Sequence, residues 1–98
     1  MGARGGVAGS AGTAAYAAAK AGVMRLTESL SEELKNKGVT VNCVLPSILD
    51  TAQNRAAMPT ADASQWVPPD DVAATILFLL SAAARSVTGA LIPVYGRA

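Results

Sequence analysis

Tyr16 and Lys20 stand one helical turn apart in the run Ala14-Ala15-Tyr16-Ala17-Ala18-Ala19-Lys20-Ala21-Gly22. Residues four apart share one face of an α-helix, so this spacing sets a phenol beside an ammonium. A free phenol titrates at about 10, and exchanging its proton around neutral pH requires the anion to be favoured by about 4 kcal/mol. An ammonium held roughly 4 Å from the phenolate, at an effective dielectric of about 20, contributes on the order of 4 kcal/mol. The pair can therefore act as a general acid. The same spacing also fits a tyrosine that packs by its ring while the lysine extends into water.

The elements that must position the pair can be read from periodicity and punctuation. From Thr13, an expected N-cap, apolar residues recur at Tyr16, Ala19, Val23, Leu26, Leu30 and Leu34, which predicts one long helix buried along that stripe. Glu33 and Lys37 are spaced as an ion pair at its far end, and Gly38 suits the left-handed C-cap. Ala14, Ala18, Ala21, Gly22 and Arg25 form a second, mostly small face, either a helix contact or simply the helix preference of alanine. Upstream, Met1 to Gly12 contains Gly2, Gly5, Gly6, Gly9 and Gly12, a composition too flexible for a strand or helix interior. A loose, flexible arm over residues 1–12 is expected, with no phosphate-binding glycine spacing in it.

Val39 to Leu45 is a β-branched run apolar on both faces, as in a strand covered from both sides, and Pro46 is expected to stop it. Residues 47–66 read as irregular, with a helical turn over Thr51 to Ala57 and Trp66 as a packing anchor. Pro68-Pro69-Asp70-Asp71 reads as a helix start, followed by a stripe of Val72, Ala73, Ile76, Leu77 and Leu80 and an end near Ser81. Ala90 to Val94 reads as a strand, and Pro93 places it at a sheet edge. The fold class is α/β: a long helix followed by a parallel strand-helix-strand unit of the usual right-handed kind.

Composition narrows the function. The chain has 98 residues, 51% of them apolar, and a formal charge of +1. That length makes a single domain over 1–98 with a modest core. The near-neutral balance and scarcity of aromatics argue against nucleic-acid binding, including through Arg4, Lys20, Arg25, Lys35 and Lys37. The residues after Met1 do not read as a basic-then-apolar leader and no apolar run approaches the ~20 residues that span a bilayer, so neither secretion nor membrane insertion is expected. The lone Cys43 lies in an apolar run and reads as a buried, inert thiol suited to a reducing cytoplasm. Histidine is absent, which removes Ser-His-Asp and Cys-His catalysis and imidazole-ligated zinc. No metal site is expected.

Taken together, Tyr16-x-x-x-Lys20, the strand Val39-Thr40-Val41-Asn42-Cys43-Val44-Leu45-Pro46 and the following Ile48-Leu49-Asp50-Thr51 resemble the short-chain dehydrogenase/reductase family. The resemblance covers nearly the whole chain and corresponds to the carboxyl-terminal half of such an enzyme, a partial Rossmann-like unit. It implies NAD(P)H as cofactor and hydride transfer to a small carbonyl or quinonoid substrate. Tyr16 would be the general acid/base, and Lys20 would lower its pKa and bond the nicotinamide ribose. Val41-Asn42 and Pro46 match the strand leading to the nicotinamide. Leu49 falls where the family's backbone bonds the carboxamide, and Thr51 where a hydroxyl contacts the cofactor, with Ser47 replacing the usual glycine. Pro46 and Thr51 also read as a strand stop and a helix cap. Val87-Thr88-Gly89-Ala90 resembles the turn into the family's last strand.

Two departures stand out. The family places a serine upstream of the tyrosine to hydrogen-bond the substrate oxygen, and here Ala3 stands at that place between Gly2 and Arg4. Ser10 and Thr13 are the nearest hydroxyls but too close in sequence to fit the pattern. Dihydropteridine reductase works without that serine and has Gly-Ala there. Leu45-Pro46, Leu49-Asp50-Thr51, Asn54-Arg55, Met58-Pro59, Ala61-Asp62 and Trp66 also resemble that branch. Further, the first strand-helix unit with its glycine-rich phosphate turn needs ~30 residues or more, and fifteen precede Tyr16. Cofactor binding by this chain alone is therefore expected to be weak, and the expected partners are a second copy or an amino-terminal half. The alternative from another class is a non-catalytic association module, or an inactive truncated form, that oligomerises through the long helix and the sheet edge at Val39 to Leu45.

Overall fold

The computed structural model describes residues 1–7 and 9–97. Its regular elements are α1 (Ala14–Leu34), β1 (Cys43–Pro46), α2 (Ala52–Ala57), α3 (Pro69–Leu79) and β2 (Leu91–Val94), with single 3-10 turns at Arg4–Gly6, Lys35–Lys37, Ala63–Gln65 and Ala82–Ala84. The strands pair in parallel, Cys43 opposite Leu91 and Pro46 opposite Val94. This is the expected α/β arrangement, a long helix followed by a parallel strand-helix-strand with β2 at the sheet edge.

The ladder explains how two prolines are tolerated. Cys43 N donates to Ala90 O and Ser47 N to Val94 O, so alternate residues of β1 face β2. Pro46 therefore points its missing donor away from the ladder and stands as the last strand residue rather than beyond it. By the same alternation Pro93 faces the outer edge of β2, where no bond is lost.

Side chains of β1 alternate between two cores. Cys43 and Leu45 turn towards Met24 and Val23 of α1, and Val44 turns towards Val67, Val72, Ile76 and Leu79 beneath α3. All four β1 residues are buried, as its two-sided apolar pattern requires. The strand is shorter than the Val39 to Leu45 expected. Residues ahead of Cys43 are held by the turn before β2: Val41 N donates to Thr88 Oγ1 (3.1 Å), and Asn42 Nδ2 donates to Val87 O (2.9 Å). Asn42 Oδ1 in turn accepts from Ala90 N (3.1 Å), and Gly89 N donates to Val41 O (2.8 Å). Gly89 takes φ +70°, and a Cβ there would lie 2.8 Å from Ser31 Oγ.

The helices differ from their predicted stripes. On α1 the buried residues are Met24, Thr27 and Ser31, while Tyr16 and Leu26 are exposed. The two hydroxyls are tolerated inside because they bond their own helix, Thr27 Oγ1 to Val23 O and Ser31 Oγ to Glu28 O. An apolarity pattern could not find them. On α3 the inward row is Val72, Ile76 and Leu79, whereas Leu77 and Leu80 are 68% and 77% exposed. That helix is apolar nearly all round, so its sequence did not fix which face packs.

The ends of α1 hold two smaller surprises. Thr13 occupies the N-cap but makes no capping bond; its hydroxyl donates to Ser10 O instead. The ion pairs on α1 and just past its end are Arg25–Glu28 and Glu32–Lys35, and among the described residues Glu33 and Lys37 do not pair. Gly38 does take the left-handed C-cap, at φ +71°, after the terminal 3-10 turn.

The glycine-rich segment expected as a loose arm lies against the fold. Gly2 N donates to Val44 O (3.0 Å) and to Cys43 Sγ (2.9 Å), occupying part of the β1 edge opposite β2. A Cβ at Gly6 would fall 2.8 Å from Lys20 C and 2.9 Å from Ala21 N. Glycine here serves close approach to a helix backbone. Trp66 is buried, as expected of an anchor. Among the described residues no helix is long and apolar enough to cross a membrane.

Candidate active site

The first turns of α1 carry Tyr16 and Lys20 on one side of the helix, and the Lys20 ammonium lies 5.7 Å from the centre of the Tyr16 ring. A cation within ~6 Å of an aromatic centroid is attracted by the ring's quadrupole. Tyr16 is 53% exposed and Lys20 half-buried, so the ring keeps access to solvent beside the ammonium. A Cβ at Gly5 would meet Tyr16 Cε1 at 2.9 Å, so the 3-10 turn presses directly on the ring.

Tyr16 opens onto a cleft of about 540 Å³, whose lining includes Ala3, Arg4, Ser10, Pro46, Ser47 and Ile48. One wall is the glycine-rich turn and the other is the end of β1. Of the residues expected at the site, the cleft gathers Tyr16 and Pro46. Lys20, Leu49 and Thr51 do not line it; Lys20 lies by the Tyr16 ring, and Leu49 and Thr51 follow the β1 wall in sequence.

Past β1, the chain is tied down bond by bond. Val67 N donates to Ile48 O (2.9 Å), Asp50 N to Val67 O (2.8 Å) and Thr51 N to Leu49 O (3.0 Å). Asn54 Nδ2 also donates to Leu49 O (2.8 Å). Thr51 Oγ1 accepts from Asn54 N (3.1 Å) and so caps α2. The Leu49 carbonyl is thus engaged twice, filling its two lone pairs. Asp50 and Arg55 form a two-pronged pair, 2.6 and 3.0 Å. The Arg55 guanidinium holds the Asp50 carboxyl below its ordinary range, and Asp50 in turn raises Arg55. Asp62 is lowered likewise, by hydrogen bonds from Ser64.

Ser47, where the resemblance anticipates glycine, donates its hydroxyl to Tyr95 O (3.0 Å), linking the ends of the two strands. Arg4 lies over the Tyr95 ring at 4.9 Å. Ala3 is buried and brings no hydroxyl to the cleft wall. Sequence reasoning missed Gly5, Arg4 and Ser47 as parts of the cleft and set Ser10 aside on spacing. Of the cleft's other lining residues, Ser10 carried a signal as a hydroxyl shortly upstream of Tyr16, and Ser47 as the residue standing where the resemblance anticipates glycine.

The cleft sets a phenol on one side and a proline-ended strand with exposed Ile48 on the other, and the ammonium lies by the phenol ring outside the lining, donor types that a nicotinamide ribose would use. The glycine-rich segment lies against Tyr16 and α1 rather than leading from a strand into a phosphate-binding helix N-terminus.

Residues 1–96 match the family described as enoyl-(acyl carrier protein) reductase. The 3-oxoacyl-(acyl-carrier-protein) reductase FabG of Vibrio cholerae is 37% identical over 93% of this chain and 41% of its own length. That of Pseudomonas aeruginosa is 36% identical over 93% and 40%. Among solved structures, a short-chain dehydrogenase/reductase family oxidoreductase from Burkholderia thailandensis superposes with a TM-score of 0.84 at 39% identity, covering 97% of this chain and 41% of that one. A 4-hydroxyisoleucine dehydrogenase complexed with NADH gives 0.82 at 25% identity, covering 97% and 42%. The chain spans about two fifths of the length of these relatives. By its matched span and its relatives, this chain belongs to the short-chain dehydrogenase/reductase family.

Proposed function

We propose that the chain carries the proton-donating half of a hydride-transfer site, in which Tyr16 is the general acid/base and Lys20 its electrostatic partner. The observation that carries this reading is the Lys20 ammonium 5.7 Å from the Tyr16 ring, with the phenol opening onto a cleft walled by Pro46 to Ile48. NAD(P)H, when bound, supplies the hydride. Tyr16 gives its proton to the carbonyl oxygen as negative charge develops there. Lys20, beside the ring, would stabilise the resulting negative charge and hold the ribose. Because Leu49 O is doubly engaged, the Leu49 N–H is the group left to meet the carboxamide. Thr51, committed to Asn54 N, acts first as a cap that fixes this wall and meets the cofactor through its remaining proton. Pro46 ends β1 in the cleft lining and would form part of the wall that holds the nicotinamide.

The substrate class is a small carbonyl compound; the named activity of the Vibrio cholerae and Pseudomonas aeruginosa relatives, reduction of a 3-oxoacyl group, supports the carbonyl. A quinonoid substrate of the dihydropteridine reductase kind is the finer alternative, favoured by Ala3 at the serine position. A quinonoid ring accepts hydride readily and depends less on a second oxygen donor. Unpaired Cys43 suits a cytoplasmic setting. Exposed Leu26, Leu77, Phe78 and Leu80 suit association with a second copy or with an amino-terminal half, which would also supply the pyrophosphate and adenosine contacts. The test is NADH- or NADPH-dependent reduction of ethyl acetoacetate. Tyr16→Phe should lower turnover by about 10²- to 10⁴-fold, and equal turnover by the variant would refute the assignment.

A further inference from the structure

Among the described residues, Arg4 is the one charged side chain in the lining of the cleft that Tyr16 opens onto. Its guanidinium is held over the Tyr95 ring, 4.9 Å from the centroid, inside the ~6 Å range in which a cation is attracted to an aromatic face. The Tyr95 carbonyl in turn accepts the Ser47 hydroxyl at 3.0 Å, and Ser47 lines the same cleft. The cation is thus anchored beside the ends of β1 and β2.

Its backbone is fixed as well. Arg4 opens the 3-10 turn in which Gly6 N donates to Ala3 O and Val7 N to Arg4 O, both at 3.0 Å. The next residue, Gly5, stands against the Tyr16 ring, where a Cβ would meet Cε1 at 2.9 Å. One short turn therefore carries the guanidinium and braces the phenol, and both side chains line one cleft.

Charge decides which ligand such a cleft prefers. Among the described residues no aspartate or glutamate lines it. Asp50, the next acid along the chain from Ile48, is committed to Arg55 by bonds of 2.6 and 3.0 Å, and Asp62 accepts from Ser64 N at 3.0 Å. A guanidinium presents a planar fork of N–H donors that matches the two oxygens of a carboxylate. Stacking on a ring uses the guanidinium face, whereas those donors lie in its plane.

We propose that Arg4 determines the specificity of the site, selecting carbonyl compounds that also carry a carboxylate, the oxo acids, over their neutral esters. The carboxylate binds Arg4 while the carbonyl oxygen lies at Tyr16. This rests on Tyr16 being the proton donor. Arg4 makes and breaks no covalent bond and keeps its proton throughout.

The test reads binding, so it needs neither cofactor nor turnover. Isotope-labelled chain is titrated with acetoacetate and, separately, with ethyl acetoacetate, and backbone amide shifts are followed. The acid should bind more tightly than the ester by about 5- to 20-fold, between the worth of an exposed ion pair and that of a hydrogen bond to a charged group. Arg4→Met should abolish this preference, and Arg4→Lys, which keeps the charge but not the fork, should retain part of it. Arg4 is exposed, so both variants should fold, checked by circular dichroism. Tyr16→Phe should keep the preference, which separates the two assignments: turnover tests Tyr16 and the acid-to-ester ratio tests Arg4. Equal affinity for acid and ester, an unchanged preference in Arg4→Met, or no saturable shifts with acetoacetate overturns the role of Arg4. Weaker binding of nicotinamide mononucleotide by Arg4→Met, with acetoacetate binding unchanged, would assign Arg4 to the cofactor's phosphate and overturn the proposal too.

Discussion

Gly5 and Tyr16 are in contact so close that a single added methyl would meet the phenol ring: the position of a Gly5 Cβ is 2.9 Å from Tyr16 Cε1 and 3.4 Å from Cδ1. The glycine-rich turn thus sets where the phenol points. Gly5→Ala should leave stability within about 1 kcal/mol, because an exposed ring can swing aside. It should reduce Tyr16-dependent reduction of ethyl acetoacetate several-fold. Chemical denaturation and steady-state kinetics on the same preparation separate the two effects; unchanged kinetics would show that the ring position is set elsewhere.

Gly6 gives the opposite outcome one residue later. Its added Cβ would lie 2.8 and 2.9 Å from backbone atoms of Lys20 and Ala21, and helix backbone cannot yield as a side chain can. Gly6→Ala should destabilise the chain by about 1–3 kcal/mol, the usual range for overpacking. Urea unfolding measures it, and a loss no larger than that of Gly5→Ala would contradict the packing described.

Asn42 bridges β1 to the turn before β2, donating to Val87 O and accepting from Ala90 N. Asn42→Ala removes both bonds and leaves partly buried backbone groups unpaired, at roughly 1–3 kcal/mol. Asn42→Asp keeps the acceptor but loses the donor, so it should fall between the parent and the alanine variant in urea midpoint. An aspartate variant as unstable as alanine would sink the two-bond account.

The Asp50–Arg55 pair makes a pH prediction. Asp50 is held below its ordinary value in the folded chain by the Arg55 hydrogen bonds, so its contribution to stability is present above the unfolded carboxyl value and is lost as pH falls through the folded one. A carbon-detected NMR titration should find Asp50 titrating below a free aspartate, and Arg55→Ala should bring it back up. Asp62 should likewise rise in Ser64→Ala to the extent that the serine hydroxyl, rather than the backbone N–H, holds it.

Much of this architecture was legible because it rests on local signals. The Tyr16/Lys20 spacing, Pro69 with Asp70 and Asp71, Gly38 and the two-sided apolar β1 each declare an element by residue type alone. What stayed hidden depends on faces and approaches. Thr27 and Ser31 are polar by type but buried, because each bonds its own helix. Leu77 and Leu80 are apolar but exposed, because a helix apolar all round does not specify its packed side. Gly5 and Gly6 looked like loop composition, although a side chain at Gly5 would meet the Tyr16 ring and one at Gly6 the helix backbone. Ser10 looked misplaced by spacing, although the loop carries it into the cleft.

The central claim, that the Tyr16 side of α1 and the end of β1 together bind the reactive end of a nicotinamide cofactor, is tested most directly by titrating isotope-labelled chain with nicotinamide mononucleotide and following backbone amide shifts. The account predicts saturable shifts gathered at Tyr16, Lys20, Ile48, Leu49 and Thr51, weakened in Tyr16→Phe. Shifts confined to the groove formed by Met1, Thr40, Val41, Ile76 and Leu79, or none that saturate, would contradict it.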